Sequence, residues 1–84
     1  MSDRPVVVYG TKWCCDCNAA KRVLNARGVP YDWMDVEADA EARRLMLGLN
    51  GGMHSVPTVV FPDGTVLVEP SAPELTARLD ELRP

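Results

Sequence analysis

Two periodicities take turns along the chain. Short apolar runs give way to stretches in which apolar residues recur at three- and four-residue spacing, and then return. Residues 5–9, Pro-Val-Val-Val-Tyr, form a continuous run of the kind buried on both faces of a parallel sheet. Over residues 19–27, Ala20, Val23 and Leu24 share a helical stripe; Gly28 stands where a helix stops and Pro30 follows just beyond. Residues 31–36 put Tyr31 and Trp33 on one side of a strand and Met34 and Val36 on the other.

Ala42, Leu45, Met46 and Leu49 then mark a helix over residues 38–49, with acids in its first turn, Arg43 and Arg44 further on, and Asn50-Gly51-Gly52 to end it. After Pro57, residues 58–61 and 65–68 are short β-branched runs separated by the hairpin signal Pro62-Asp63-Gly64. Ser71-Ala72-Pro73-Glu74 has the form of a capping box ahead of Leu75, Leu79 and Leu82 at helical spacing. The order βαβαββα predicts an α/β fold: a mixed four-stranded sheet with helices on both faces, its first two strands parallel and joined by a right-handed crossover.

With 84 residues the chain has room for one domain, residues 1–84, which buries only about 60% of its unfolded surface. Disulfides do not reinforce it, because all three cysteines lie within Cys14-Cys15-Asp16-Cys17 and cannot cross-link distant segments. The N-terminus lacks the basic start and apolar stretch of a signal peptide, and no apolar run approaches a membrane span. The expectation is a monomer in a reducing cytoplasm, where a disulfide cycles rather than persists. The net charge of −3 argues against a nucleic-acid partner. Lys12, Lys21, Arg22 and Arg27 surround the cysteines, opposed only by Asp16, whereas Asp32, Asp35, Glu37, Asp39 and Glu41 crowd the following segment. The two groups read either as solvated faces or as local attraction for anionic partners.

Helix geometry separates the three cysteine pairings. Each residue advances about 100°, so in a helix starting near Cys14, Cys15 and Cys17 sit about 200° apart, while Cys14 and Cys17 return to one face after about 300°. A bond between the adjacent Cys14 and Cys15 would close a strained ring. The working pair is therefore Cys14 and Cys17. A cysteine at a helix N-terminus is favoured as thiolate by the dipole and the unpaired amides, with Lys12 adding to this and Asp16 opposing it. That makes Cys14 the nucleophile and Cys17 the resolving thiol. A metal or iron-sulfur carrier with His54 as a fourth ligand is the rival reading, although zinc motifs generally present two separated ligand pairs. Taken singly, His54 reads as polar surface, Trp33, Met34, Met46 and Met53 as packing, and Cys15 as a bystander.

Trp13-Cys14-Cys15-Asp16-Cys17 after the first strand, Ser55-Val56-Pro57-Thr58 before the third, and the hairpin Phe61-Pro62-Asp63-Gly64 resemble the glutaredoxin branch of the thioredoxin fold. Val29-Pro30-Tyr31-Asp32, Asn50-Gly51-Gly52 with Val56-Pro57-Thr58-Val59, and Pro70-Ser71 with Glu74 are most similar to the mycoredoxins and related bacterial glutaredoxin-like proteins. The resemblance implies a cis Pro57 facing the cysteines, a Val56 backbone that hydrogen-bonds an extended substrate, and Lys12 and Trp13 flanking the thiol site. It implies a thiol-disulfide oxidoreductase that holds no bound cofactor. Its co-substrate would be a low-molecular-weight thiol, and its partners would be proteins carrying mixed disulfides. A variant of the same reading takes electrons from a flavin-dependent thioredoxin reductase to supply ribonucleotide reductase or peroxidases.

One segment departs from the family pattern. Glutathione-using members typically carry Gly-Gly-x-Asp or a close variant before the last helix, where this chain reads Glu69-Pro70-Ser71-Ala72. The helix start at Ser71 can receive a polar or anionic group, but Glu69 would repel a carboxylate. Mycothiol or bacillithiol is therefore expected ahead of glutathione.

Overall fold

Each of the seven predicted elements forms within residues 5–82, the part of the chain that the computed structural model describes. They are β1 (Val6–Gly10), α1 (Cys15–Ala26), β2 (Tyr31–Asp35), α2 (Ala40–Leu49), β3 (Thr58–Val60), β4 (Val66–Val68) and α3 (Ala72–Glu81). The sheet order is β2-β1-β3-β4. β1 runs parallel to β2, with Val6 opposite Tyr31 and Gly10 opposite Asp35, and antiparallel to β3, which pairs antiparallel with β4.

Side chains alternate across β1 and divide the core in two. Val6 and Val8 join Val59, Phe61, Ala20, Leu24, Leu75 and Leu79, so α1 and α3 cover this face. Tyr9 joins Val36, Ala42 and Met46, with Val7, Met34 and Val60 packed alongside, so α2 covers the other. Tyr31 and Trp33 pack toward the first cluster and Met34 toward the second, as their alternation predicts.

Local hydrogen bonds move several boundaries from their predicted places. Helix α1 starts well before its apolar stripe because Cys14 caps it, with extended φ and ψ of −83° and 117°. Helix α2 starts at Ala40, not at residue 38. Asp35 Oδ1 first accepts the amides of Glu37 and Ala38 in a turn, at 2.9 and 3.2 Å, and Asp39 Oδ1 then caps the amides of Glu41 and Ala42, at 3.0 and 3.2 Å. Phe61 leaves the strand for the hairpin turn, where its amide donates to Thr65 O at 2.8 Å and its carbonyl accepts from Gly64 at 2.9 Å.

Ion pairs tie the last helix to its neighbours. Arg78 bonds Asp63 of the hairpin turn at 2.7 Å, and Arg27 of α1 pairs with Asp80 of α3. The result for function is that β1, the inner strand between β2 and β3, delivers the chain through residues 11–14 directly to the N-terminus of α1.

Candidate active site

Cys14 lies at the point where the β1–α1 turn becomes helix. Its amide donates to Thr11 O at 3.4 Å, closing the turn, and its sulfur takes the place that a capping oxygen usually occupies, accepting the amide of Cys17 at 3.3 Å. The thiol faces Val56 O across 3.9 Å, within the reach of sulfur. This sulfur thus faces both an amide donor and the N-terminus of α1. All three cysteines are free thiols; Cys14 is half-buried, Cys15 exposed and Cys17 buried. One turn of helix thus brings Cys17 back beneath Cys14 and leaves Cys15 facing solvent.

Cys17 has a different environment. Burial pushes its thiol up to about 12, the Cys14 sulfur and the charges of Cys14 and Asp16 act in the same direction, and a backbone bond from Thr11 pulls the other way. Two thiols one turn apart therefore differ in character, one partly exposed and amide-bonded, the other buried and protonated at neutral pH. Space for Cys17 comes from Gly10. A Cβ on Gly10 would lie 2.6 Å from Cys17 Sγ and 2.8 Å from Trp33 Cη2, so sulfur and indole meet over the missing methyl. The Lys21 amine stacks on that indole, 4.0 Å from the ring centroid.

Across from the cysteines, the Val56–Pro57 bond is cis and Pro57 is buried. The loop is held from below by side chains. Thr58, fully buried, donates its hydroxyl to Ser55 O at 2.8 Å and accepts from Asn50 Nδ2 at 3.1 Å. Asn50 also reaches Ser55 O at 3.4 Å, so the residue that ends α2 is bonded to the loop presenting Val56. On the far side, the amide of Glu69 donates to Pro57 O at 2.8 Å, which sets Glu69 next to the loop in a left-handed conformation, φ 50°.

The remaining residues named from sequence divide by place. Lys12 and Trp13 sit on the turn at the cysteines; Trp13 is 84% exposed, and the two line a shallow depression of about 260 Å³ with Asp35, Glu37 and Ala38. Ser71 caps α3, accepting the Glu74 amide at 3.2 Å while its own amide donates to Glu74 Oε1 at 3.1 Å. A ligand that needs the Ser71 amide must therefore displace Glu74. His54 is exposed, and among the described residues no three of the His, Cys, Asp and Glu side chains are grouped so as to hold a metal ion.

Gly10, Trp33, Asn50 and Thr58 were not singled out for the site from sequence. Trp33 read as packing and Asn50 as a helix stop. The available signals were a glycine ending an apolar strand, which can mark close approach, and a threonine directly after the Val-Pro pair.

Two free thiols of unlike exposure, held one turn apart opposite a cis proline, are equipped for thiol-disulfide exchange, and site and fold together define a redox protein of the thioredoxin fold. Comparison with known proteins makes this narrower. The family model described as Glutaredoxin matches residues 6–67, and the chain belongs to that family. A glutaredoxin-named protein of Mycobacterium tuberculosis is 40% identical over 74 residues, 88% of each chain. Mycoredoxin 1 of Corynebacterium glutamicum is 38% identical over 77 residues, 92% of this chain and 95% of that one. In fold alone, the chain is similar to the solved NrdH-redoxin of Escherichia coli, with a TM-score of 0.76 at 21% identity over 96% of this chain and 97% of that one. Among the described residues no helix is long and apolar enough to cross a membrane.

Proposed function

We propose that the protein is a thiol-disulfide oxidoreductase that takes a low-molecular-weight thiol from protein mixed disulfides onto Cys14. The Cys14 sulfur attacks the small thiol's sulfur; the substrate protein's sulfur leaves as thiolate and takes up a proton, and the small thiol remains on Cys14 as a disulfide. A second small thiol can attack that adduct, restoring the Cys14 thiol and leaving as the small-thiol disulfide. Alternatively Cys17 attacks Cys14, the Cys14–Cys17 disulfide forms and the first small thiol is released reduced; two further small thiols, or a flavin-dependent disulfide reductase, then return the pair to thiols. The observation that carries this reading is the Cys17 amide bonded to the Cys14 sulfur at the start of α1.

Val56 supplies the backbone against which the substrate lies, while Lys12, Trp13 and Ser71 surround the small thiol. Mycothiol or bacillithiol is favoured over glutathione. Supporting this, the Glu69 backbone is bonded to Pro57 O beside the site, the Ser71 amide already holds a carboxylate, and one relative is named a mycoredoxin. The setting that fits such chemistry is a monomer in a reducing cytoplasm.

The test is to offer Cys17→Ser protein a carrier protein bearing mycothiol, bacillithiol or glutathione in mixed disulfide, and to weigh the adduct. The expected result is transfer of mycothiol or bacillithiol to Cys14. Preferential transfer of glutathione would overturn the choice of thiol, and no adduct on Cys14 with any of the three would overturn the function.

A further inference from the structure

Cys17 is enclosed by groups that play no part in the exchange steps above. Its sulfur has no solvent exposure, and the same point over Gly10 lies 2.6 Å from that sulfur and 2.8 and 3.0 Å from Trp33 Cη2 and Cζ3. The indole comes from β2, an edge strand, where Trp33 lies opposite Val8 in the parallel ladder, and it leans over Gly10, two residues further along β1, toward a sulfur on α1. Lys21, one turn beyond Cys17 on α1, sets its amine on the ring at 4.0 Å, holding the indole from the helix side. What the arrangement adds is a wall between the sulfur and water.

We propose that Trp33, seated on Gly10 and held by Lys21, is the positioning residue that keeps water from Cys17 and so governs how readily Cys17 closes on an adduct at Cys14. This rests on the assignment of Cys14 as attacking and Cys17 as resolving thiol. In closure the Cys17 thiol loses its proton, its sulfur bonds Cys14 Sγ, the bond from Cys14 to the small thiol breaks, and the departing sulfur takes up a proton. The two electrons of the old disulfide bond leave with the small thiol, and no outside reductant is consumed. The rate depends on the fraction of Cys17 present as thiolate, and burial is the largest cause of that fraction being small. In the reduced protein the charges that bear on the sulfur are Cys14 and Asp16 from the helix start, and once Cys14 carries the adduct Asp16 alone remains; Lys21 sits on the ring, and Asp35, opposite Gly10 in register, has its carboxylate turned to the amides of Glu37 and Ala38.

The experiment separates capture from closure. Wild type, Trp33→Ala, Trp33→Phe and Lys21→Met are mixed with a small-molecule disulfide, quenched with acid at intervals and weighed, giving the rate of the Cys14 adduct and of its conversion to the Cys14–Cys17 disulfide from pH 6 to 10. Water reaching Cys17 in Trp33→Ala raises its thiolate fraction. A fall of one unit gives tenfold more thiolate, partly offset by lower nucleophilicity, so closure is expected to quicken about threefold at neutral pH. Its pH profile should move toward lower pH, with capture unchanged. Trp33→Phe and Lys21→Met should fall between, and far-UV circular dichroism checks their fold; should Trp33→Ala unfold, these two carry the comparison. A closure profile that stays in place or moves to higher pH, or capture and closure changing by the same factor, would overturn the proposal. Failure of the underlying assignment looks different: the wild type then forms no Cys14 adduct, or Cys17→Ser still converts it.

Discussion

The backbone amide of Cys17 donates to the sulfur of Cys14 across 3.3 Å, so the backbone at position 17 helps to hold that sulfur whatever side chain position 17 carries. A substitution at Cys17 that preserves the helix therefore keeps the environment of Cys14. Cys17→Ser is expected to form the Cys14 adduct at close to the wild-type rate and to lose internal closure. Cys14→Ser, which has no sulfur to attack with, should lose reduction of mixed disulfides by about a thousandfold or more. Mass spectrometry and a mixed-disulfide reduction assay read the two outcomes.

Because burial raises the Cys17 thiol from 9.0 to about 12, stability should depend on alkaline pH. Below the unfolded value both states hold the proton and the stabilisation is fully present. As pH rises from the unfolded toward the folded value, the unfolded chain loses its proton first and the reduced protein weakens. Tyr9, also raised by burial, contributes in the same direction, so the comparison that isolates Cys17 is wild type against Cys17→Ser. The urea midpoint of the reduced wild type should fall more steeply than that of the variant above pH 9. Parallel curves would remove Cys17 as the cause.

Gly10→Ala forces a methyl to within 2.6 Å of Cys17 Sγ and 2.8 Å of Trp33 Cη2. Overpacking of this kind costs about 1–3 kcal/mol. Much of that should be recovered in the double variant Gly10→Ala with Cys17→Ala, since the two changes share one space and should not add. Melting temperatures of the four proteins in the cycle provide the check.

Thr58→Val keeps the shape of a fully buried side chain and removes its hydroxyl. Ser55 O then loses its 2.8 Å donor and Asn50 Nδ2 its 3.1 Å acceptor, at a cost of about 1–3 kcal/mol. The same loop carries Val56, so mixed-disulfide reduction should fall on the order of tenfold through misplacement of the substrate. An unchanged rate in a folded variant would show that Asn50 alone positions the loop.

Glu69 is exposed and its backbone adjoins Pro57, so its charge can be reversed without disturbing the core. Glu69→Lys should raise the rate with glutathione mixed disulfides several-fold relative to mycothiol ones, and the gain should shrink at high salt as exposed charges are screened. A ratio that does not respond to the substitution would exclude Glu69 as the source of selectivity.

What the chain announced by itself is local. The order of elements followed from periodicities of two and 3.6, the pairing of Cys14 with Cys17 from the advance of one helical turn, and the cap of α3 from the spacing of Ser71 and Glu74. Family resemblance added the cis Pro57 opposite the thiols. The start of α2 was misplaced because side-chain bonds from Asp35 and Asp39, not apolar spacing, decide where that helix begins.

Only the tertiary structure decided which residues serve the cysteines from a distance. Gly10, Cys17 and Trp33 lie on three different elements and meet because β1 and β2 pair in one particular register beneath α1. Asn50 and Thr58 join the end of α2 to the loop carrying Val56 only once α2 has packed on Tyr9 and β3 has paired with β1. A periodic pattern states which way a side chain points and not what it meets there. The spacing of the thiols could therefore be read along the chain, while the unlike environments that separate Cys14 from Cys17 arise from packing between elements.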